Sequence, residues 1–89
     1  MSLSINGNYD EAKVRWDFDL HGEIDISNAH QLKQQLEAAY AATPADIYLD
    51  IEHLSYIDST GLGVIIGIYG TIREKGHKTV VVNPKDNVR

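Results

Sequence analysis

Cysteine is absent from all 89 residues. That removes disulfides, thiolate nucleophiles and cysteine-type zinc sites together. Positive charge is also scarce: eight Lys and Arg stand against thirteen Asp and Glu, for a net charge of -5. No basic stripe exists to neutralise phosphates, so a nucleic-acid surface is excluded. The four histidines, His21, His30, His53 and His77, show no short metal-ligand spacing, and no metal site is expected. No long hydrophobic run is present. The most apolar stretch, residues 62–72, is too short and too rich in glycine to span a bilayer. Met1-Ser2-Leu3-Ser4 carries no basic patch followed by an apolar run, so no secretory signal is visible and the expected location is cytoplasmic, away from membranes. What remains, 43% hydrophobic and 24% charged residues, is the composition of one soluble globular domain over residues 1–89, without repeats or linkers.

Leu3 and Ile5 alternate with polar neighbours and suggest a first strand, after which Asn8-Tyr9-Asp10-Glu11 reads as a turn. Val14, Trp16, Phe18 and Leu20 alternate with Arg15, Asp17 and Asp19, which predicts a second strand packed on one face and wet on the other. His21 to Asp25 reads as a loop, and Ser27 as the cap of a helix over residues 27–42. Ala29, Leu32, Leu36, Ala39 and Tyr40 form that helix's apolar face, and Thr43-Pro44 stops it. Ile47, Leu49 and Ile51 point inward from a third strand. A second helix follows Asp58-Ser59-Thr60 and ends near Gly76, and Lys78 to Asn83 forms the last strand. Pro84 to Arg89 reads as the opening of a further helix.

The order β-β-α-β-α-β predicts a two-layer α/β fold: a mixed four-stranded sheet with both helices mainly on one face. The strand-to-helix loops then gather at one edge, where sites form in open α/β sheets. These are the segments Gly22–Ser27, Leu54–Ser59 and Asn83–Lys85, so Asp25 and Ser59 should be neighbours.

Glycine costs about 0.8–1 kcal/mol against alanine inside a helix, so Gly63, Gly67 and Gly70 require a reason. They share one side of the second helix. Leu62, Ile65, Ile66, Tyr69 and Ile72 make the face expected on the sheet; Val64, Ile68, Thr71 and Lys75 make one pointing away. The glycines either permit close packing within the domain or form, with Val64 and Ile68, a docking groove for another protein. They are not a nucleotide fingerprint: Gly61-Leu62-Gly63 lacks the third glycine, and no Lys-Ser or Lys-Thr pair closes a phosphate loop.

Ser59 has three readings. It is a helix cap, a nucleophile lacking an obvious base unless His21 or His53 supplies one, or a phosphorylation site. A phosphate there adds about -1.5 to -2 charge at a helix start that tolerates it, yet beside Asp25 and Asp58.

Gly22-Glu23-Ile24-Asp25, together with Leu54-Ser55-Tyr56-Ile57-Asp58-Ser59-Thr60-Gly61-Leu62-Gly63-Val64-Ile65-Ile66-Gly67, resembles the STAS-domain anti-sigma factor antagonists of bacteria. The Asp-Ser-Thr-Gly-Leu-Gly core is that of their phosphorylatable branch, and the resemblance covers essentially the whole chain. It implies a non-enzymatic protein that binds an anti-sigma factor serine kinase and thereby frees a sigma factor. The kinase phosphorylates Ser59 and the two separate; a PP2C-type phosphatase resets the protein. ATP and magnesium belong to the kinase, so this chain holds no cofactor. Asp25, Asp58 and Thr60 match positions flanking the modified serine, while Gly61, Gly63, Val64, Gly67 and Ile68 make the expected partner surface. Members of the family continue past the position of Arg89, so a C-terminal helical portion is expected to be missing. The alternative is a STAS scaffold or ligand-sensing module that is never phosphorylated; a serine hydrolase is the third reading.

Overall fold

A computed structural model describes residues 2–84. Strand β1 (Leu3–Asp10) pairs antiparallel with β2 (Arg15–Ile24), which pairs parallel with β3 (Asp46–Ile57), itself parallel to β4 (Thr79–Val82). Helices α1 (Ala29–Ala42) and α2 (Ser59–Glu74) supply the two crossovers, and the strand order is β1-β2-β3-β4. The α/β architecture is the expected one.

Alternation settles the two faces of the sheet. Phe18, Leu20, Ile47, Leu49 and Ile51 are buried beneath the helices, where Leu32, Leu36, Tyr40, Ile68 and Ile72 meet them. Each fully buried aliphatic side chain contributes about 1.5–3 kcal/mol relative to exposure. Helix α1 stops as its sequence dictates: Thr43, ahead of Pro44, is extended, and its N–H returns to the Ala39 carbonyl at 3.0 Å. Near that end the Tyr40 hydroxyl meets His77 Nδ1 at 2.6 Å, tying α1 to the entry of β4. Replacing Tyr40 by Phe keeps the ring and removes the bond. A loss of about 1 kcal/mol in urea unfolding is expected; a change below about 0.3 kcal/mol would show the bond to be idle.

Four expectations are corrected. Asn8–Asp10 belongs to β1 rather than to a turn, because the two-stranded pairing runs out to Asp10–Arg15. Val14, placed by its alternation on the buried face, lies in the tight connection with φ 56° and is exposed. The segments His21–Ile24 and Leu54–Ile57 are strand, not loop. Pairing there survives through register shifts on either side of Gly22, whose φ of +106° only glycine adopts readily, and whose missing Cβ makes room for the Ser2 carbonyl.

The fourth correction concerns the rotation of α2. Leu62, Ile66 and Tyr69 are exposed, whereas Ile68, expected outward, is buried at 5%. The apolar arc of α2 is wider than the contact available, so apolarity alone does not choose its inner face. Gly61 chooses it. It is buried in the first turn with its α-carbon hard against Ile24 and Ile57, and Ile68 and Ile72 follow two and three turns along the same line. The helix expected from Pro84 to Arg89 and the Lys85 end of the last loop lie outside the described residues.

Candidate functional site

Strands β2 and β3 end side by side, and the two chain segments leaving them are bolted together by Asp58. Its backbone N–H donates to the Ile24 carbonyl at 3.1 Å. One carboxylate oxygen accepts from Gly61 N–H at 2.9 Å, capping α2; the other accepts from Ile26 N–H at 3.2 Å in the β2–α1 connection. The expected proximity of the Asp25 loop to Ser59 is therefore realised, with Asp58 as the link.

The cap of α2 is Asp58, so the hydroxyl of Ser59 has no capping duty. Ser59 is the first residue of the helix and is exposed, as is Thr60. Both stand where unsatisfied helix N–H groups favour an anion.

Across from Ser59, Asp25 accepts from the Ser27 hydroxyl and from Ser27 N–H. The bond from the Ser27 hydroxyl is the chief reason its carboxyl is held below the usual carboxylate range. A depressed folded pKa contributes stability that is present above the unfolded value and lost as pH falls through the folded one. Ser27→Ala should therefore move the Asp25 titration, followed by NMR, upward toward the ordinary aspartate range. An unmoved midpoint would remove the hydroxyl from the account.

Asn28, and not the expected Ser27, is the residue that shapes this loop. It is buried at the N-terminal boundary of α1, its amide donating to the Glu23 carbonyl at 2.9 Å and accepting from Asp25 N–H at 3.0 Å. The available signal was an Asx residue immediately before the first helical alanine, a better turn former than serine. Ser27 is left exposed and bonded to Asp25, not to the helix.

The glycines separate into two kinds. A Cβ on Gly61 would lie 2.4 Å from Ile24 Cγ2, so that glycine is required for packing, and being buried it offers a partner no surface. A Cβ on Gly63, Gly67 or Gly70 would meet nothing within 4 Å. Close packing inside the domain is therefore not why these three are glycine. Gly63 and Gly67 line a groove of about 370 Å³ between the helices, with Thr60, Val64, Ile68 and Thr71 on α2 and Lys33 and Glu37 on α1. Val64 is half-buried against the core and Ile68 forms the groove's floor, so of the expected partner surface Gly63, Gly67 and Val64 are the accessible part.

His21 and His53 stack on each other, ring centroids 4.7 Å apart, and His21 Nε2 lies 2.8 Å from Asp19 Oδ2. By alternation with Phe18 and Leu20, His21 is on the sheet face opposite the helices, so neither ring is placed to serve Ser59 as a base. Among the described residues no three His, Asp or Glu converge on a metal position, and no helix is long and apolar enough to cross a membrane.

A family model described as the STAS domain matches residues 11–89. The anti-sigma-B factor antagonist of Listeria monocytogenes is 32% identical over 72 residues, 81% of this chain and 63% of that one. The protein of the same description in Staphylococcus aureus is 28% identical over 67 residues, 75% of this chain and 62% of its own. This chain thus spans less than two thirds of the curated relatives it matches, 63% and 62% respectively. Among solved structures, the anti-sigma factor antagonist SpoIIAA of Bacillus, in its unphosphorylated form, superimposes with a TM-score of 0.78 at 22% identity, over 92% of this chain and 74% of that one. That similarity is one of fold.

Proposed function

The chain belongs to the STAS-domain family, and from that premise we propose that it acts as an anti-sigma factor antagonist switched by phosphorylation of Ser59. Its partner on this reading is an anti-sigma factor that is also a serine kinase, with a PP2C-type phosphatase to reverse the modification. The role is one of binding rather than catalysis. The observation that carries the proposal is the division of labour at the head of α2: Asp58 caps the helix, and Ser59 is left exposed with its hydroxyl free of that task. A serine needed only to start a helix would not have an aspartate doing so one residue earlier.

The kinase holds ATP and magnesium; the Ser59 hydroxyl takes the γ-phosphoryl group, ADP leaves, and the hydroxyl proton passes to the kinase. The phosphate then sits over the N-terminal turn of α2, beside the Asp58 carboxylate, and adds roughly -1.5 to -2 charge to a surface formerly occupied by the partner. The helix end tolerates that charge, so the domain stays folded while the contact fails. The unphosphorylated scaffold remains the competing reading, and intact mass after incubation with kinase and ATP distinguishes them. One phosphoryl group mapping to Ser59 supports the switch; an unmodified chain that still binds the kinase supports the scaffold.

The groove glycines give an independent check. Gly67→Ala removes a helix-interior glycine with no neighbour to displace, so it should stabilise the fold by about 0.5–1 kcal/mol. If the partner's side chains lie along Gly63 and Gly67, the same variant binds the kinase about tenfold more weakly. A variant that is more stable and binds as well as the wild type would remove the groove from the interface.

A further inference from the structure

Every backbone N–H from Asp25 to Ala29 has a partner. Asp25 N–H donates to the Asn28 side-chain oxygen, Ile26 N–H to Asp58 Oδ2 and Ser27 N–H to Asp25 Oδ1, while those of Asn28 and Ala29 donate to the Asp25 carbonyl. Asp25, Ser27 and Asn28 are the residue types such a turn calls for, because their side chains close it. Ile26 is not. A β-branched apolar side chain belongs by preference in a strand. This one is the most exposed large apolar side chain among the described residues, at 77%, and takes no part in the core.

Its direction is fixed by its neighbours. The N–H of Ile26 is committed to Asp58 and the next residue is bonded back to Asp25, so the side chain stays outward unless one of those bonds breaks. The connection that carries it leaves β2, two strands from β4. Around it the surface is polar: Asp25 and Ser27 on its own connection, Asp58 and Ser59 at the head of α2. Single exposed apolar side chains are common and need no purpose. Val14, 61% exposed in the connection at the other end of β2, is one with no polar site beside it. Ile26 differs in standing one hydrogen bond from the residue that precedes Ser59. An apolar side chain inside a polar rim is the form of an interface anchor.

We propose that Ile26 is the apolar anchor of the kinase contact. With Ser59 as the acceptor, the reading on which this anchor rests, the kinase holds the chain on both sides of the hydroxyl it modifies. One contact runs along Gly63 and Gly67 on α2, the other is Ile26 on the β2–α1 connection. The second is received by an apolar pocket of the kinase, with basic or N–H groups at its rim to face Asp25 and Asp58. Ile26 and Ser59 meet only through the fold, so the kinase recognises this edge of the folded domain rather than the linear sequence about Ser59.

The probe is the purified anti-sigma factor kinase of the same genome, with a non-hydrolysable ATP analogue for binding and ATP for labelling. Ile26→Ser leaves the backbone bonds of the connection in place, and its thermal unfolding should match the wild type. Its affinity should fall at least tenfold, the loss expected when a buried aliphatic side chain is removed from an interface. KM for labelling of Ser59 should rise in step while kcat changes little, as for contact made equally before and during the reaction. Ile26→Val, one methylene shorter, should stay within about fivefold of the wild type. Val14→Ser should match the wild type in both assays. Wild-type affinity in Ile26→Ser while Ser59 is still labelled overturns the anchor and leaves the switch standing. A wild type that binds without being labelled ends the switch, and a tenfold loss in Ile26→Ser then upholds the anchor by itself. An equal loss in Val14→Ser, or a wild type without affinity for the kinase, overturns the anchor.

Discussion

Under the proposed function, Ser59→Ala protein is expected to take up no phosphate from kinase and ATP yet to bind the kinase within about twofold of the wild type, while Ser59→Asp is expected to bind at least tenfold more weakly. The pair is informative because the two substitutions differ in charge at one exposed position and neither touches the core. Alanine removes the acceptor oxygen and leaves the cap, which belongs to Asp58, in place. Aspartate puts a second carboxylate beside Asp58 within the contact surface. Like charges brought together at an interface cost up to several kcal/mol, and a tenfold loss needs only about 1.4 kcal/mol. Thermal unfolding of both variants should stay close to wild type, because a negative group at a helix start is well tolerated. Labelling that persists in Ser59→Ala would transfer the acceptor role to Thr60, which the double variant with Thr60→Val decides. Wild-type affinity in Ser59→Asp would rule out charge as the means of release.

The second large effect is on stability and comes from a single methyl group. Gly61→Ala places a Cβ 2.4 Å from Ile24 Cγ2 and 3.1 Å from Ile57 Cγ1. Ile24 is fully buried, so its methyl has nowhere to go. Either Ile24 leaves its rotamer or the first turn of α2 lifts from the ends of β2 and β3. Overpacking of this sort costs about 1–3 kcal/mol, against a gain of roughly 0.8–1 kcal/mol in helix propensity. Denaturant unfolding should show a net loss, in contrast to the gain expected at Gly67. Equal behaviour of the two alanine variants would mean that Gly61 does not set the seat of α2. The displaced turn carries Asp58 and Ser59 with it, so Gly61→Ala should impair phosphorylation as well.

Much of the fold was legible in advance because two of its strands are half-buried. Phe18 and Leu20, then Ile47, Leu49 and Ile51, alternate with polar neighbours, and that pattern fixes strand, face and layer together. Leu32, Leu36 and Tyr40 do the same for α1. The pattern fails where an element is apolar nearly all round. In α2 the inner face is selected by the room beside Ile24, a tertiary quantity that no periodicity carries, so Ile68 and the Leu62–Ile66–Tyr69 flank exchange places with expectation. It fails also at Gly22, where a stretch that reads as a loop is a bulge that lets the strand continue. The site was legible as a set of residue types, since Asp58 and Ser59 are cap residues ahead of an apolar run. Which of them caps was not, because either can. That Asn28, rather than Ser27, organises the facing loop depends on the Glu23 carbonyl five residues away, beyond the range of local sequence preference.

The two oxygens of Asp58 hold amides from segments 35 residues apart at their farthest, Ile26 and Gly61. Such a clasp makes local opening an all-or-none event at this edge: the two amides should show a common protection factor against deuterium exchange, governed by one fluctuation and not two. On the proposed function, a kinase approaching Ser59 would meet a surface whose shape is settled before contact, and little disorder would have to be frozen out on arrival.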